Sequence, residues 1–343
     1  MNSPSHKLVF VYLGKRLPRY AKISLRLAQQ YSGMEVVLVS ERIFRGTGLQ
    51  DCNMYIVDGQ YKNDISIEGI NEKYKNFRKG FWIKTTERFY ALREYMQESN
   101  SHQCFHAELD NLVFTNFGLA EKLNQYGTGL FLPFDSTNRA IASLIYINSI
   151  DALDKFCAFS TQHIGQKNDM ELLAMFGASN WDDVYALPTS PGNETLKTGL
   201  AKLGIKSVSE IECGIFDAAA IGQWYFGVDP RNSYFSIRNQ YVNEVSKLDM
   251  KSFRMVWNHK TCSFEATMVD QKDKKLLVNN LHVHSKVHRK LARQSTLLSI
   301  ASRTDKGKKI LISINARGYA RAVFQLVVHF SGRLKTKTWK SFR

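Results

Sequence analysis

The chain has 343 residues, 44% of them hydrophobic and 23% charged, a globular composition long enough to bury a sizeable core. No run approaches the roughly 20 apolar residues of a membrane span, and the apolar stretch 8–13 is too short for a secretory signal and is soon followed by Lys15 and Arg16. The +16 formal charge is confined to one end: residues 286–343 carry 15 Lys and Arg against one acid, Asp305, a net of +14, and the preceding 285 residues only +2. The five cysteines, Cys52, Cys104, Cys157, Cys213 and Cys262, are odd in number and never form a C-x-x-C pair. This argues against a disulfide framework or a structural zinc cluster, and the cysteines read as reduced, mostly core residues.

Residues 7–14, Lys-Leu-Val-Phe-Val-Tyr-Leu-Gly, read as a buried strand, and residues 34–40 as a second. Between them Ile23, Leu25, Leu27, Ala28 and Tyr31 supply a helical apolar pattern. This βαβ start implies a parallel sheet with a right-handed crossover. It contains no G-x-G-x-x-G, so the dinucleotide fingerprint is absent. A third strand is expected over 53–58, then a helix over 83–96 that buries Phe89, Leu92 and Tyr95 or Met96.

That helix leads into residues 104–111, Cys-Phe-His-Ala-Glu-Leu-Asp-Asn. Read as a strand, the alternation sets His106, Glu108 and Asp110 on one side and Phe105, Ala107 and Leu109 on the other. In a sheet covered on both faces, those polar groups need a partner that offsets their desolvation, and a divalent cation is one. A water-facing antiparallel strand is the plainer alternative. Because ligands of open α/β sheets gather beyond the carboxyl ends of strands, the position of Glu108 and Asp110 favours the cation.

Further strand-like runs occupy 128–133 and 143–148, and helices are expected over 150–159 and 169–176. Asn168 or Asp169 is placed to cap the latter, with Leu172, Leu173 and Phe176 on its buried side. Residues 189–210 read as an exposed loop with a short helix. In the stretch 214–232 small residues permit close backbone approach, and Asp229-Pro-Arg-Asn is a turn that either presents Arg231 to an anion or pairs it with Asp229. Asp217 either meets a sugar hydroxyl or caps a helix beginning at Ala218. Residues 253–257 and 263–269 suggest a hairpin. In the strand expected over 275–286, His282, His284 and Lys286 share one face, two imidazoles for a metal and an ammonium for phosphate, or else a solvated polar face.

The basic end itself has helical apolar spacing at Ala320, Val323, Phe324, Val327 and Val328. Arg333, Lys335, Lys337, Lys340 and Arg343 follow, interleaved with Trp339 and Phe342. This is the pattern of an amphipathic anchor on an anionic membrane surface, which attracts Lys and Arg at about 1 kcal/mol each. A nucleic-acid contact and a solvated extension are the other readings, and the sparse aromatic interleaving does not decide between them.

Taken in order, the βαβ half, the Glu108-x-Asp110 pair, the Asn168-Asp-Met-Glu-Leu-Leu helix, Leu187-Pro188 and the late His282-x-His284-x-Lys286 resemble the metal-dependent GT-A glycosyltransferases of bacterial polysaccharide synthesis. The resemblance covers residues 7–286 and implies an α/β fold, a Rossmann-like mixed sheet flanked by helices, to which charge and apolar spacing add the basic, mainly helical C-terminal extension. It implies a catalytic domain over 1–290, with a nucleotide-binding half at 1–111 and an acceptor half at 112–290, followed by the extension at 291–343.

The activity implied is transfer of a sugar from a nucleotide-sugar donor, UDP-linked, to a glycan or lipid-linked acceptor, with Mn²⁺ or Mg²⁺ stabilising the leaving diphosphate. Asp110 matches the metal-coordinating carboxylate, and Glu108 the first acid, turned toward the ribose or metal-bound water. His284 or His282 matches the late metal ligand. Lys286 would contact the diphosphate, Arg231 is a further anion partner, and Tyr12 lies beside the base. Lys84 and Arg88 would reach donor groups, while Asp169, with Asp217 as a second candidate, would meet the transferred or acceptor sugar. Glu108 departs from the usual Asp, and the full late H-x-x-G-x-x-K-P-W signature is absent. The expected location is cytoplasmic, peripheral at the inner face of the membrane. The rivals are a metal-dependent hydrolase using His106, Asp110, His282 and His284 with an activated water, and a nucleic-acid-binding protein acting through its basic end.

Overall fold

The computed structural model describes residues 6–45, 49, 52–65, 72, 76–78, 80–114, 118–190, 192–226, 253–258, 263–268 and 275–285. Arg231, Lys286, Cys262 and the extension 291–343 lie outside the described residues.

The chain opens with β1 (Lys7–Tyr12), α1 (Arg19–Tyr31), β2 (Glu35–Ser40) and β3 (Asn53–Ile56). β1 pairs in parallel with β2, and β2 with β3, as the βαβ pattern predicts. α2 (Phe81–Glu98) returns the chain to β4 (Cys104–Ala107), which lies parallel to β1. Both faces are covered. Val9, Val11, Val37 and Val39 share one core with Phe89, Leu92 and Met96 of α2, while Leu8, Phe10, Val36 and Leu38 share the other with Leu25 and Ala28 of α1. Double burial is why these strands read as unbroken apolar runs, each buried large side chain contributing roughly 1.5–3 kcal/mol.

β5 (Asn111–Val113), α3 (Gly118–Asn124), β6 (Leu130–Ser136), β7 (Arg139–Ala140), β8 (Leu144–Ile147), α4 (Ile150–Thr161), α5 (Asp169–Ser179) and β9 (Val184–Leu187) follow. After them come α6 (Glu194–Lys202), β10 (Lys206–Ser207), α7 (Glu210–Cys213), β11 (Ile215–Phe216) and α8 (Ala220–Phe226), then β12 (Phe253–Asn258), β13 (Ser263–Met268) and β14 (Lys275–His282). The large sheet runs β10-β9-β6-β8-β4-β1-β2-β3, with β7 on β6. It is mixed, because β8 is antiparallel to both β4 and β6. A smaller sheet runs β11-β14-β13-β12, with β5 on β14. The expected α/β architecture, a mixed sheet flanked by helices, is the one observed.

Two expectations of strand alternation need correction. β4 stops at Ala107, and residues 108–110 form a turn in which the Asn111 N–H donates to the Glu108 carbonyl at 3.0 Å. β5 then leaves the large sheet to pair with β14. Likewise β14 ends at His282, and His284 sits in a turn whose N–H donates to the His282 carbonyl at 2.9 Å. The turns at both places end the period-two logic that would have aligned His106 with Asp110, or His282 with His284. The residue that caps α5 is Asn168: its side chain accepts the Glu171 N–H at 3.0 Å, and Glu171 accepts the Asn168 N–H at 3.2 Å, a reciprocal capping box. Cys52, Cys104, Cys157 and Cys213 are free and buried, and no helix among the described residues is long and apolar enough to cross a membrane.

Candidate functional site

β1 and β4 end at the same edge of the large sheet, and the 108–110 turn continues from there. A carboxylate cannot follow Ala107 into the apolar layer without a partner, so the chain turns and carries Glu108 and Asp110 outward. Pairing of β5 with β14, which sets His282 opposite Asn111, brings in the third group. The Val283 N–H donates to the Asp110 carbonyl at 2.8 Å and ties the two segments together. One ligand atom each from Glu108, Asp110 and His282 then lies within 4.8 Å of the others. His282 Nε2 is 3.2 Å from Asp110 Oδ2 and 3.6 Å from Glu108 Oε2. His284 is half-buried with its ring 5.8 Å from that of His282, and it is not one of the three.

Beside this cluster α2 presents Thr85 and Arg88, three apart and hence on one face. Arg88 donates from Nη1 to Glu108 Oε1 and from Nη2 to Asp169 Oδ2, both at 2.6 Å, and Thr85 Oγ1 donates to Asp169 Oδ1 at 3.1 Å. Arg88 is 8% and Asp169 2% exposed. Burial pushes the Asp169 carboxyl above its ordinary range, opposed by Arg88 and reinforced by Glu108. Burial works against the Arg88 cation, but Glu108 and Asp169 more than offset it and hold its pKa above the ordinary value. The guanidinium thus bridges the acids of the 108–110 turn and of α5. Lys84, one turn ahead of Arg88, is exposed, and Tyr12, half-buried at the end of β1, donates its hydroxyl to the Arg16 carbonyl at 2.6 Å.

His106 and Asp217 take places other than those expected. His106 is buried in the layer beneath, its Nδ1 3.0 Å from the Val9 carbonyl and its ring edge-on to Phe89 at 5.9 Å. Burial and then the nearby Arg88 push its pKa down to about 3, so it stays neutral at working pH. It does not join the cluster, which removes a ligand from the four-residue hydrolase set. Asp217 is 0% exposed, enclosed by its own chain. Its oxygens accept the N–H groups of Ile221, Gly222 and His282, so the capping alternative is the one observed, extended to β14.

The donor set suits a divalent cation: two carboxylate oxygens and an imidazole nitrogen are hard-to-borderline ligands, and a bound cation would offset the mutual repulsion of Glu108 and Asp110. The buried Asn111, Asn279 and Asn280 escaped the sequence reading. Their signal was present, since two adjacent amides interrupt the apolar run Leu276-Leu-Val and Leu281.

No protein-family model matches the chain, and no curated protein matches it by sequence. Among solved structures it is similar to the galactosyltransferase LgtC in complex with donor and acceptor sugar analogues, at 12% identity and a TM-score of 0.34, over 56% of this chain and 78% of that one. It is similar also to mouse xyloside xylosyltransferase 1 in its apo form, at 10% identity and a TM-score of 0.35, over 61% and 96%. A third is the glycosyltransferase GlyE of Streptococcus pneumoniae, at 10% identity and a TM-score of 0.34, over 54% and 45%. All three of these neighbours are glycosyltransferases.

Proposed function

We propose that this chain is a metal-dependent GT-A glycosyltransferase that moves a sugar from a UDP-linked donor to a glycan or lipid-linked acceptor. The observation that carries this reading is the convergence of Glu108, Asp110 and His282 beyond the carboxyl ends of β1 and β4, where open α/β sheets bind ligands. Asp110 and His282 would hold Mn²⁺ or Mg²⁺, with Glu108 completing the set through the oxygen that faces His282. Bound there, the cation would stabilise the charge that develops on a departing diphosphate.

The chain's own groups divide the remaining work. Arg88 bridges Glu108 and Asp169 side by side and fixes their separation, so a sugar held between them would meet a preorganised polar wall. Asp169 is the candidate for the transferred or acceptor sugar, with Thr85 fixing its other oxygen. Exposed Lys84 would meet donor groups, and Tyr12 would lie beside the base. Lys286, and Arg231 from the turn at 229–232, are proposed phosphate partners on their residue type alone. In this reading residues 1–111 form the nucleotide-binding half and 112–290 the acceptor half, and the extension 291–343 would hold the protein peripherally at an anionic, inner membrane face.

Isothermal titration of Mn²⁺ and a UDP-sugar into wild type and Asp110→Asn tests the proposal. Metal-dependent donor binding lost in the variant is the expected result. Equal, metal-independent binding in both would overturn it, and a phosphoester or glycan product formed without nucleotide would support the hydrolase instead.

A further inference from the structure

A metal-binding histidine is ordinarily oriented by a hydrogen bond from its second ring nitrogen to a carboxylate or carbonyl. His282 lacks one: its Nδ1 is buried and finds no hydrogen-bond partner among the described residues. Its ring is therefore oriented by packing and by how its main chain is held, and Asp217 holds that main chain. Asp217 Oδ2 accepts the His282 N–H at 2.9 Å and the Gly222 N–H at 2.6 Å, while Oδ1 accepts the Ile221 N–H at 2.9 Å.

The same clamp reaches the other side of the site. The Asn280 side-chain oxygen accepts the Asp217 N–H at 2.9 Å, and its amide donates to Asn111 Oδ1 at 2.8 Å and to the Asp217 carbonyl at 3.2 Å. Asn111 directly follows Asp110, and its own amide donates to the Glu108 carbonyl at 3.3 Å. Two glycines let the backbones approach this closely. A Cβ on Gly222 would lie 2.1 Å from the His282 carbonyl oxygen, and one on Gly214, at φ +75°, would lie 2.5 Å from the Leu277 carbonyl oxygen.

We infer that Asp217, seated by Asn280 and Gly222, is a positioning residue that sets the separation between the Glu108–Asp110 turn and His282, and thereby the affinity of the site for its cation. The inference rests on the metal-site reading above. The residue type matters: a carboxylate presents only acceptors to three N–H groups, whereas an amide in its place turns an NH₂ against one of them.

Titration of Mn²⁺ alone into the full chain, with thermal melting in parallel, tests this on wild type, Asp217→Asn, Gly222→Ala and a control. The control is Leu153→Ala, fully buried in the separate core cluster that contains Phe89 and Phe176. The expected result is Mn²⁺ affinity weakened about tenfold or more in Asp217→Asn and Gly222→Ala. Leu153→Ala should melt earlier yet keep wild-type affinity. If Gly222→Ala does not fold, Asp217→Asn decides alone. A folded Asp217→Asn with wild-type affinity overturns the inference and leaves the metal site standing, as does an equal loss of affinity in Leu153→Ala. A wild type that binds no Mn²⁺ overturns the metal-site reading and the inference with it.

Discussion

Asp169 and Asp217 are both buried aspartates near the same cluster, and their surroundings assign them opposite work. Asp169, at the start of α5, is met by side chains: the Arg88 guanidinium on one oxygen and the Thr85 hydroxyl on the other. Asp217, just ahead of α8, is met by three main-chain N–H groups. A carboxylate held by side chains can exchange partners with a substrate by small rotations. One enclosed by main-chain donors cannot do so without unfolding the segments that supply them. Burial raises the pKa of both, so burial alone does not separate a reactive acid from a structural one.

The largest effect is expected from removing the cation of the first region. Arg88→Leu leaves the buried Asp169 and the half-buried Glu108 without their cation and should cost about 3–5 kcal/mol in urea denaturation. Adding Asp169→Asn should recover part of that loss, and a strictly additive double variant would show the bridge to be energetically idle. Next, Asp169→Asn should lower kcat about 100-fold, about 2.7 kcal/mol, with Mn²⁺ affinity unchanged. Asp217→Asn should do the reverse, weakening Mn²⁺ about tenfold, about 1.4 kcal/mol, with kcat retained at saturating metal. If both variants show the same profile, the division between the two acids fails.

The pH dependence sharpens the same contrast. Because the folded pKa of Asp169 lies above 3.8, the native state holds the proton more tightly than the unfolded chain. Its contribution to stability is complete below that ordinary value and is lost as pH rises through the folded one. Stability of Asp169→Asn relative to wild type should therefore rise with pH over this window, as denaturation in steps from about pH 3 to about pH 7 would read. Smaller again, Asn168→Ala removes the capping box that seats α5 and should cost about 1 kcal/mol by thermal melting. Smallest in stability is exposed Lys84→Ala, expected within about 0.5 kcal/mol of wild type. Its donor KM should nonetheless rise if the ammonium meets the donor, and an unchanged KM would remove Lys84 from the site.

Much of the fold was legible because its strands are buried on both faces and its helices carry ordinary signals. Residues 7–12 and 35–40 are apolar enough to admit little else, and Asn168 with Glu171 marks a helix start without reference to anything distant. The acids at 108 and 110 announced chemistry for the same local reason. The turn that holds them was concealed, because Phe105, Ala107 and Leu109 all enter the same core and keep the alternation going after the strand's hydrogen bonds have ended. Nothing local distinguished His282 from His284 either, two residues of one type at one spacing.

What the sequence by itself determined was the set of elements and the kinds of group available: doubly buried strands, capped helices, paired carboxylates, late histidines and a basic end. Tertiary structure decided which of these groups meet. β5 leaves the large sheet and pairs with β14, and that register brings His282 to Asp110 across about 170 residues of chain. The physical reason is range. Periodicity and capping are written within a few residues, whereas the partner of a buried charge is settled by strand pairing that no local pattern encodes.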